Sequence, residues 1–355
     1  MAGLLAALES RPTSDVQLIW SWYGAGKTHT LYYLANQCAY GHMRLLPMYV
    51  ELPREAKSFV DLYRVTISQF SIERLIDAHL DYLTRPVSRA VFARSLDPDL
   101  NSALTQATVG ERPIQVLLQQ WLLGNSLPAA AHRELGVGGR INTTEKCATI
   151  LADVVSLLAP RGSSPGFDPT SVQRVIWIVD EVQRVEELGL SSQRSILSGL
   201  VGVFNRCPTG LTLILSYTGT PREKSLPEWI PPDLADRIGL ERPMLLPPLR
   251  SDEAKVFVRD LLEHFRLPEC IDLAEFYPFE PEAIEDLIKA LGRQDELKPR
   301  AIMETLDVSL RILEPQIRAG KIKSIGVQAL RESLARLPLN WTDGSAKKKE
   351  RTRDK

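Results

Sequence analysis

No apolar run in this chain approaches the roughly 18 residues that a bilayer-spanning helix needs, which speaks against a transmembrane anchor. Met1 to Pro12 lacks the basic start and long apolar stretch of a signal peptide. Cysteine is sparse: Cys38, Cys147, Cys207 and Cys270 lie far apart and without metal-ligand spacing, so reduced, structural thiols are expected. Net charge is nearly absent as well. With 43 Lys and Arg against 44 Asp and Glu, the balance of −1 predicts no bulk attraction to nucleic acid or membrane, and any such binding has to come from a local patch. No internal repeat is visible. What remains is ordinary globular composition, 44% hydrophobic and 25% charged, in 355 residues, enough for two domains or for one domain with a substantial lid. A cytoplasmic location is expected.

Within this plain background, Leu18-Ile-Trp-Ser-Trp-Tyr-Gly-Ala-Gly-Lys-Thr-His-Thr30 runs an apolar strand into a glycine-rich turn and then a helix, the order of a phosphate-gripping P-loop. Gly24 and Gly26 let backbone N–H groups turn toward phosphate oxygens, and the following helix offers its positive end. Lys27 would reach the β- and γ-phosphates, and the Thr28 hydroxyl would hold Mg²⁺. The pattern G-x-x-x-x-G-K-[ST] asks for glycine where this chain has Ser21. The expected nucleotide-contacting set is Tyr23, Gly24, Ala25, Gly26, Lys27, Thr28 and His29. Trp20, Trp22, Tyr23, Tyr32 and Tyr33 either pack on adenine or belong to the core, the commoner fate of aromatic residues at such spacing. His29 either contacts nucleotide or simply lies on the helix.

A second motif strengthens the first. Arg174-Val-Ile-Trp-Ile-Val-Asp-Glu181 is a continuous apolar run tipped by paired acids, as expected of a buried parallel strand. Ligands of open α/β sheets bind at that carboxyl edge. Asp180 is assigned to the metal and Glu181 to the general base that activates water.

Val16 to Trp20 reads as the first strand, Thr28 to Ala39 as the phosphate-receiving helix and Leu45 to Glu51 as a second strand. An insertion of about residues 59–165 follows, mainly helical over Phe59 to Tyr82, Pro113 to Leu123 and Thr144 to Leu158, long enough for a small subdomain. After the acid-tipped strand come a helix near Ser191 to Phe204, a strand at Leu211 to Tyr217 and a short strand near Glu241 to Leu246. Ser251 is an N-cap candidate for the first helix of a C-terminal helical lid. The expected division is a core over 1–246, a lid over 247–337 and a disordered basic tail over 338–355. Lys347 to Lys355 carries six Lys or Arg against two acids, and is either a solubilising end or a DNA contact.

This order of parts resembles the AAA+ superfamily of ring-forming ATPases, particularly its initiator-like branch. The resemblance covers about residues 10–335 and implies a P-loop αβα sandwich with a parallel sheet, a helical insertion and a helical lid, binding ATP and Mg²⁺. It places a sensor-1 strand at Leu211 to Gly219, making Ser216 or Thr218 the polar group near the γ-phosphate. It also makes Arg237 in Leu234-Ala-Asp-Arg-Ile238 the arginine-finger candidate, and Arg300 in Lys298-Pro-Arg-Ala-Ile-Met303 the sensor-2 arginine; each has an ordinary surface or ion-pair role as its alternative. A narrower resemblance, carried by Tyr23-Gly-Ala-Gly-Lys-Thr-His29, Trp121-Leu-Leu-Gly124 and Leu135-Gly-Val-Gly138, is to BREX-type and related ATP-binding proteins of phage defence and mobile elements, which also tolerate a non-glycine at the first loop position. That implies a homo- or hetero-oligomeric, DNA-directed ATP hydrolase, with a nucleotide-dependent interaction switch as the alternative and a small-molecule kinase as a third option.

Overall fold

A computed structural model describes residues 13–40, 44–84, 96–110, 112–159, 172–219, 226–238, 243–266, 274–294, 297–335, 337 and 339. Cys270 and all of the 338–355 tail except Leu339 lie outside them. Among the described residues, no helix is long and apolar enough to cross a membrane. Cys38, Cys147 and Cys207 are buried and in no disulfide among the described residues.

Five strands form one parallel sheet: β1 (Asp15–Ser21), β2 (Leu45–Glu51), β3 (Arg174–Asp180), β4 (Leu211–Thr218) and β5 (Met244–Leu245), in the order β2-β3-β4-β1-β5. Parallel neighbours need long crossovers, and here helices supply them. All seven residues of β3 are buried, which is why its sequence is a continuous apolar run and not an alternating one. Register aligns Tyr49 with Ile178, Glu51 with Asp180 and Ser21 with Thr218, so the functional motifs end together at the carboxyl edge. The opposite edge is tied by buried Arg174, which donates to Asp15 Oδ1 at 3.2 Å, Leu211 O at 3.0 Å, Thr212 Oγ1 at 3.0 Å and Thr13 O at 3.0 Å. A buried guanidinium requires such partners.

The chain divides into two compact units, residues 1–22 with 27–245 and residues 23–26 with 246–355. In the first, helix α1 (Lys27–Tyr40) follows β1, and the insertion supplies α2 (Phe59–Ile67), α3 (Ile72–Thr84), α4 (Pro98–Val109), α5 (Arg112–Leu122), α6 (Ala129–Leu135) and α7 (Thr144–Leu158). Apolar residues of these insertion helices, such as Phe59, Leu100, Trp121 and Leu151, join Trp20, Trp177 and Leu213 of the sheet in one continuous core, so they do not form a separate one. The stretch expected as one helix over Phe59 to Tyr82 breaks into α2 and α3. Ser71 accepts the Arg74 N–H at 3.2 Å and starts a new helix, a local side-chain bond competing with helix continuation.

Helices α8 (Leu190–Arg206) and α9 (Pro232–Ile238) complete the first unit. Two glycines of the narrower resemblance occupy left-handed turn positions. Gly124 and Gly136 have φ of 66° and 67°, and the Trp121 indole donates to Gly139 O at 2.8 Å.

In the second unit, α10 (Ser251–His264), α11 (Pro281–Gly292), α12 (Pro299–Arg318) and α13 (Val327–Ser333) share a core that includes Val258, Phe279, Ile284, Leu287, Ile302 and Leu330. Ser251 is the first helical residue and not the cap. Arg250 holds the extended cap position at φ −75° and ψ 161°, its N–H bonded at 2.8 Å to the Glu253 carboxylate, so the reach of Glu253 decides the start.

Candidate functional site

The carboxyl edge of the sheet gathers Lys27, Thr28, Asp180 and Glu181. Gly24 and Gly26 have φ of +79° and +86°, the left-handed region that glycine alone adopts freely, which gives the loop its turn. Lys27 then opens α1 and is only 6% exposed, its ammonium making one long hydrogen bond, 3.5 Å, to Trp22 O. Burial pulls its pKa below that of an ordinary lysine, and the negative charges of Asp180 and Glu181 partly restore it. A buried cation so poorly paired is suited to an arriving anion.

Asp180 is completely buried and fully engaged. Its Oδ2 accepts the Thr28 hydroxyl at 2.9 Å and the Tyr49 hydroxyl at 2.8 Å, while Oδ1 accepts the Glu181 N–H at 2.8 Å. With the Thr28 proton committed to Asp180, the hydroxyl lone pairs are left to face a cation, and an oxygen-only donor pair suits Mg²⁺. Burial first, then the Asp180 charge and the hydrogen bond between them, push the Tyr49 phenol far above an ordinary tyrosine, so it is a donor at any working pH. Tyr32 packs on Tyr49 with ring centroids 4.4 Å apart.

Glu181 takes φ 60° and ψ 34°, the single left-handed non-glycine among the described residues. Such a backbone costs about 1–3 kcal/mol and is held here by its neighbours. Its carboxylate accepts Gln183 Nε2 at 2.8 Å and lies 3.5 Å from the Arg184 guanidinium, which also donates to Leu52 O. Gln183 Oε1 in turn accepts the Thr218 N–H at 3.0 Å, so one amide links the end of β4 to the candidate base. Tyr49, Gln183 and Arg184 were not legible in the sequence, because their roles depend on which strand lies beside which.

Ser216 is buried with an unpartnered hydroxyl. Arg237 stacks over the Phe204 ring at 4.7 Å and donates to Asn205 Oδ1 at 2.6 Å. Within the second unit, Arg300 stacks on Tyr23 at 4.5 Å, donates its N–H to Gly24 O at 3.4 Å and lies 3.8 Å from Glu304. His29 is exposed. Of the five aromatic residues around the loop only Trp20 is core; Trp22, Tyr23, Tyr32 and Tyr33 are 41%, 70%, 48% and 48% exposed, which overturns the core reading for those four. Beside the ends of β1 and β4 a cavity of about 510 Å³ is lined by Trp20, Glu186, Gln193, Tyr217 and Trp229, among others, with Tyr217 donating to Glu186 at 2.8 Å.

No family model matches this chain, and no curated protein does. Solved structures do match. Among them is a point mutant of RuvB from Thermotoga maritima, at 13% identity and a TM-score of 0.31, covering 64% of this chain and 59% of that one. A likeness so distant decides nothing about chemistry; the α/β class rests on the five-stranded parallel sheet itself.

Proposed function

We propose that this chain binds ATP with Mg²⁺ and hydrolyses it slowly, as an AAA+ module whose output is conformational. The observation that carries the reading is the Thr28–Asp180 hydrogen bond at 2.9 Å beside the buried Lys27 and the strained Glu181. Lys27 holds the β- and γ-phosphate oxygens; Thr28 and Asp180 hold the metal. When bound, Mg²⁺ neutralises charge on the phosphates. Glu181 takes the proton of the attacking water as its oxygen bonds the γ-phosphorus and the bond to the ADP oxygen breaks, giving ADP and phosphate. The sheet order and the helical second unit are consistent with that family.

Finer assignments rest on the resemblance. They are a cytoplasmic motor, loader or regulator in a DNA-linked bacterial defence or transposition system; oligomerisation, with Arg237 completing a neighbour's site; and Ser216 or Thr218, with Arg300, near phosphate. A specific observation favours a second reading, a nucleotide-dependent interaction switch with little turnover. In this structure Gln183 donates to Glu181 Oε2 at 2.8 Å and Arg184 lies 3.5 Å from the same oxygen, so protein groups already engage one of the two oxygens of the candidate base. ATP turnover with and without duplex and single-stranded DNA separates the two, alongside mass measurement with a non-hydrolysable analogue. DNA-stimulated turnover of an assembled species supports the motor; tight binding with negligible turnover under every condition supports the switch; no nucleotide binding refutes both.

A further inference from the structure

We propose that Tyr49 is a positioning residue for the metal-holding carboxylate, its hydroxyl fixing Asp180 so that Thr28 and Asp180 present a ready Mg²⁺ site. The inference rests on the Mg²⁺-ATP reading above. It starts from register. In a parallel pair, residues in register share a face; Tyr49 lies opposite Ile178, so the next residue of β3 on that face is Asp180. A long side chain leaning along β2 therefore arrives at the carboxylate, and Tyr49 Oη stands 2.8 Å from Oδ2.

Two donors from different elements meet on this one oxygen: Thr28 from the start of α1 and Tyr49 from β2. The Glu181 N–H occupies Oδ1. Turning the carboxylate about its terminal torsion would break all three bonds at once, so the hydroxyl of Tyr49 selects one orientation. Tyr49 is itself braced by ring packing on Tyr32. Were Tyr49 only filling space against α1, phenylalanine would serve; the half-buried hydroxyl instead ends on the candidate metal ligand. Groups that orient a ligand from behind typically contribute 10–100-fold to metal affinity.

The test is Tyr49→Phe, with Tyr32→Ala as a second variant that removes only the brace. Affinity for a fluorescent ATP analogue is measured in EDTA and across a Mg²⁺ titration, with Mn²⁺ binding followed by electron paramagnetic resonance as a direct metal readout. Tyr49→Phe should keep the EDTA affinity, raise the Mg²⁺ midpoint about tenfold or more, and lose turnover only at low Mg²⁺, with recovery when Mg²⁺ is raised. Tyr32→Ala should move the midpoint the same way by less. A folded Tyr49→Phe with an unchanged midpoint and Mn²⁺ spectrum overturns the proposal while leaving the ATP reading intact; if Tyr49→Phe does not fold, an unchanged midpoint in Tyr32→Ala overturns it. Absence of Mg²⁺-dependent nucleotide binding in the wild type removes the ATP reading, and this one with it.

Discussion

Lys27→Met separates a nucleotide-binding lysine from a structural one, because the two roles predict opposite changes in the ligand-free protein. The methionine keeps most of the apolar stem that lies buried at the start of α1 and deletes the ammonium. In the wild type that ammonium is desolvated and has a single hydrogen bond of 3.5 Å. Its folded pKa is lowered by burial against the nearby carboxylates, so the penalty for holding the charged form is fully present below that pKa. The penalty fades as pH rises through it toward the unfolded value. Asp180 loses the Coulomb attraction of the ammonium but keeps all three of its hydrogen-bond donors, Thr28, Tyr49 and the Glu181 N–H. Lys27→Met should therefore melt no lower than the wild type at neutral pH, and any gain should shrink as pH approaches 10. Nucleotide binding behaves differently. A charge pair at about 4 Å in an effective dielectric near 20 is worth roughly 4 kcal/mol, close to a thousandfold in Kd. Titration calorimetry with ATP and Mg²⁺, paired with thermal melts, reads both. Unchanged affinity would refute the P-loop assignment; a large drop in melting temperature would make Lys27 a structural residue.

Three further substitutions probe separate parts of the account. Glu181→Gln should keep ATP and Mg²⁺ bound while abolishing phosphate release, because an amide cannot accept the water's proton; loss of Mg²⁺-ATP binding instead would exchange the roles of Asp180 and Glu181. Gly199→Ala should destabilise the first unit by about 1–3 kcal/mol in denaturant titration, since its Cβ would sit 2.0 Å from Phe59 Cγ in a full core, and adding Phe59→Leu should recover part of the loss. Arg237→Ala should spare ATP binding yet lower turnover by roughly a thousandfold, with partial recovery on mixing with Glu181→Gln subunits; no recovery at any ratio would leave Arg237 as the Phe204 and Asn205 contact seen here.

What was legible in the sequence is what local pattern controls. The β2 and α7 boundaries agree with their apolar spacing, and β3 was readable because a strand covered on both faces has to be apolar throughout. The P-loop and the paired acids were readable as residue types in a fixed order. Their meeting, Thr28 on Asp180, follows only once β2 lies beside β3 and β1 beside β4. Tyr49 and Gln183 act across those strand pairs, and nothing near them in the chain marks them out. Helices α4 and α6 were missed because short segments with mixed faces, such as Pro98–Val109, carry weak periodicity and gain stability from packing. The Ser251 expectation failed for a local reason, since serine suits a cap but Glu253 reaches the residue before it.

The most direct test of the central claim is phosphate release from ATP by the wild-type chain and by Glu181→Gln, with bound nucleotide measured in the same samples. Slow Mg²⁺-dependent release by the wild type is expected, and bound ATP without release by the variant. Release that persists in Glu181→Gln, or a wild type that binds no ATP in the presence of Mg²⁺, would contradict it.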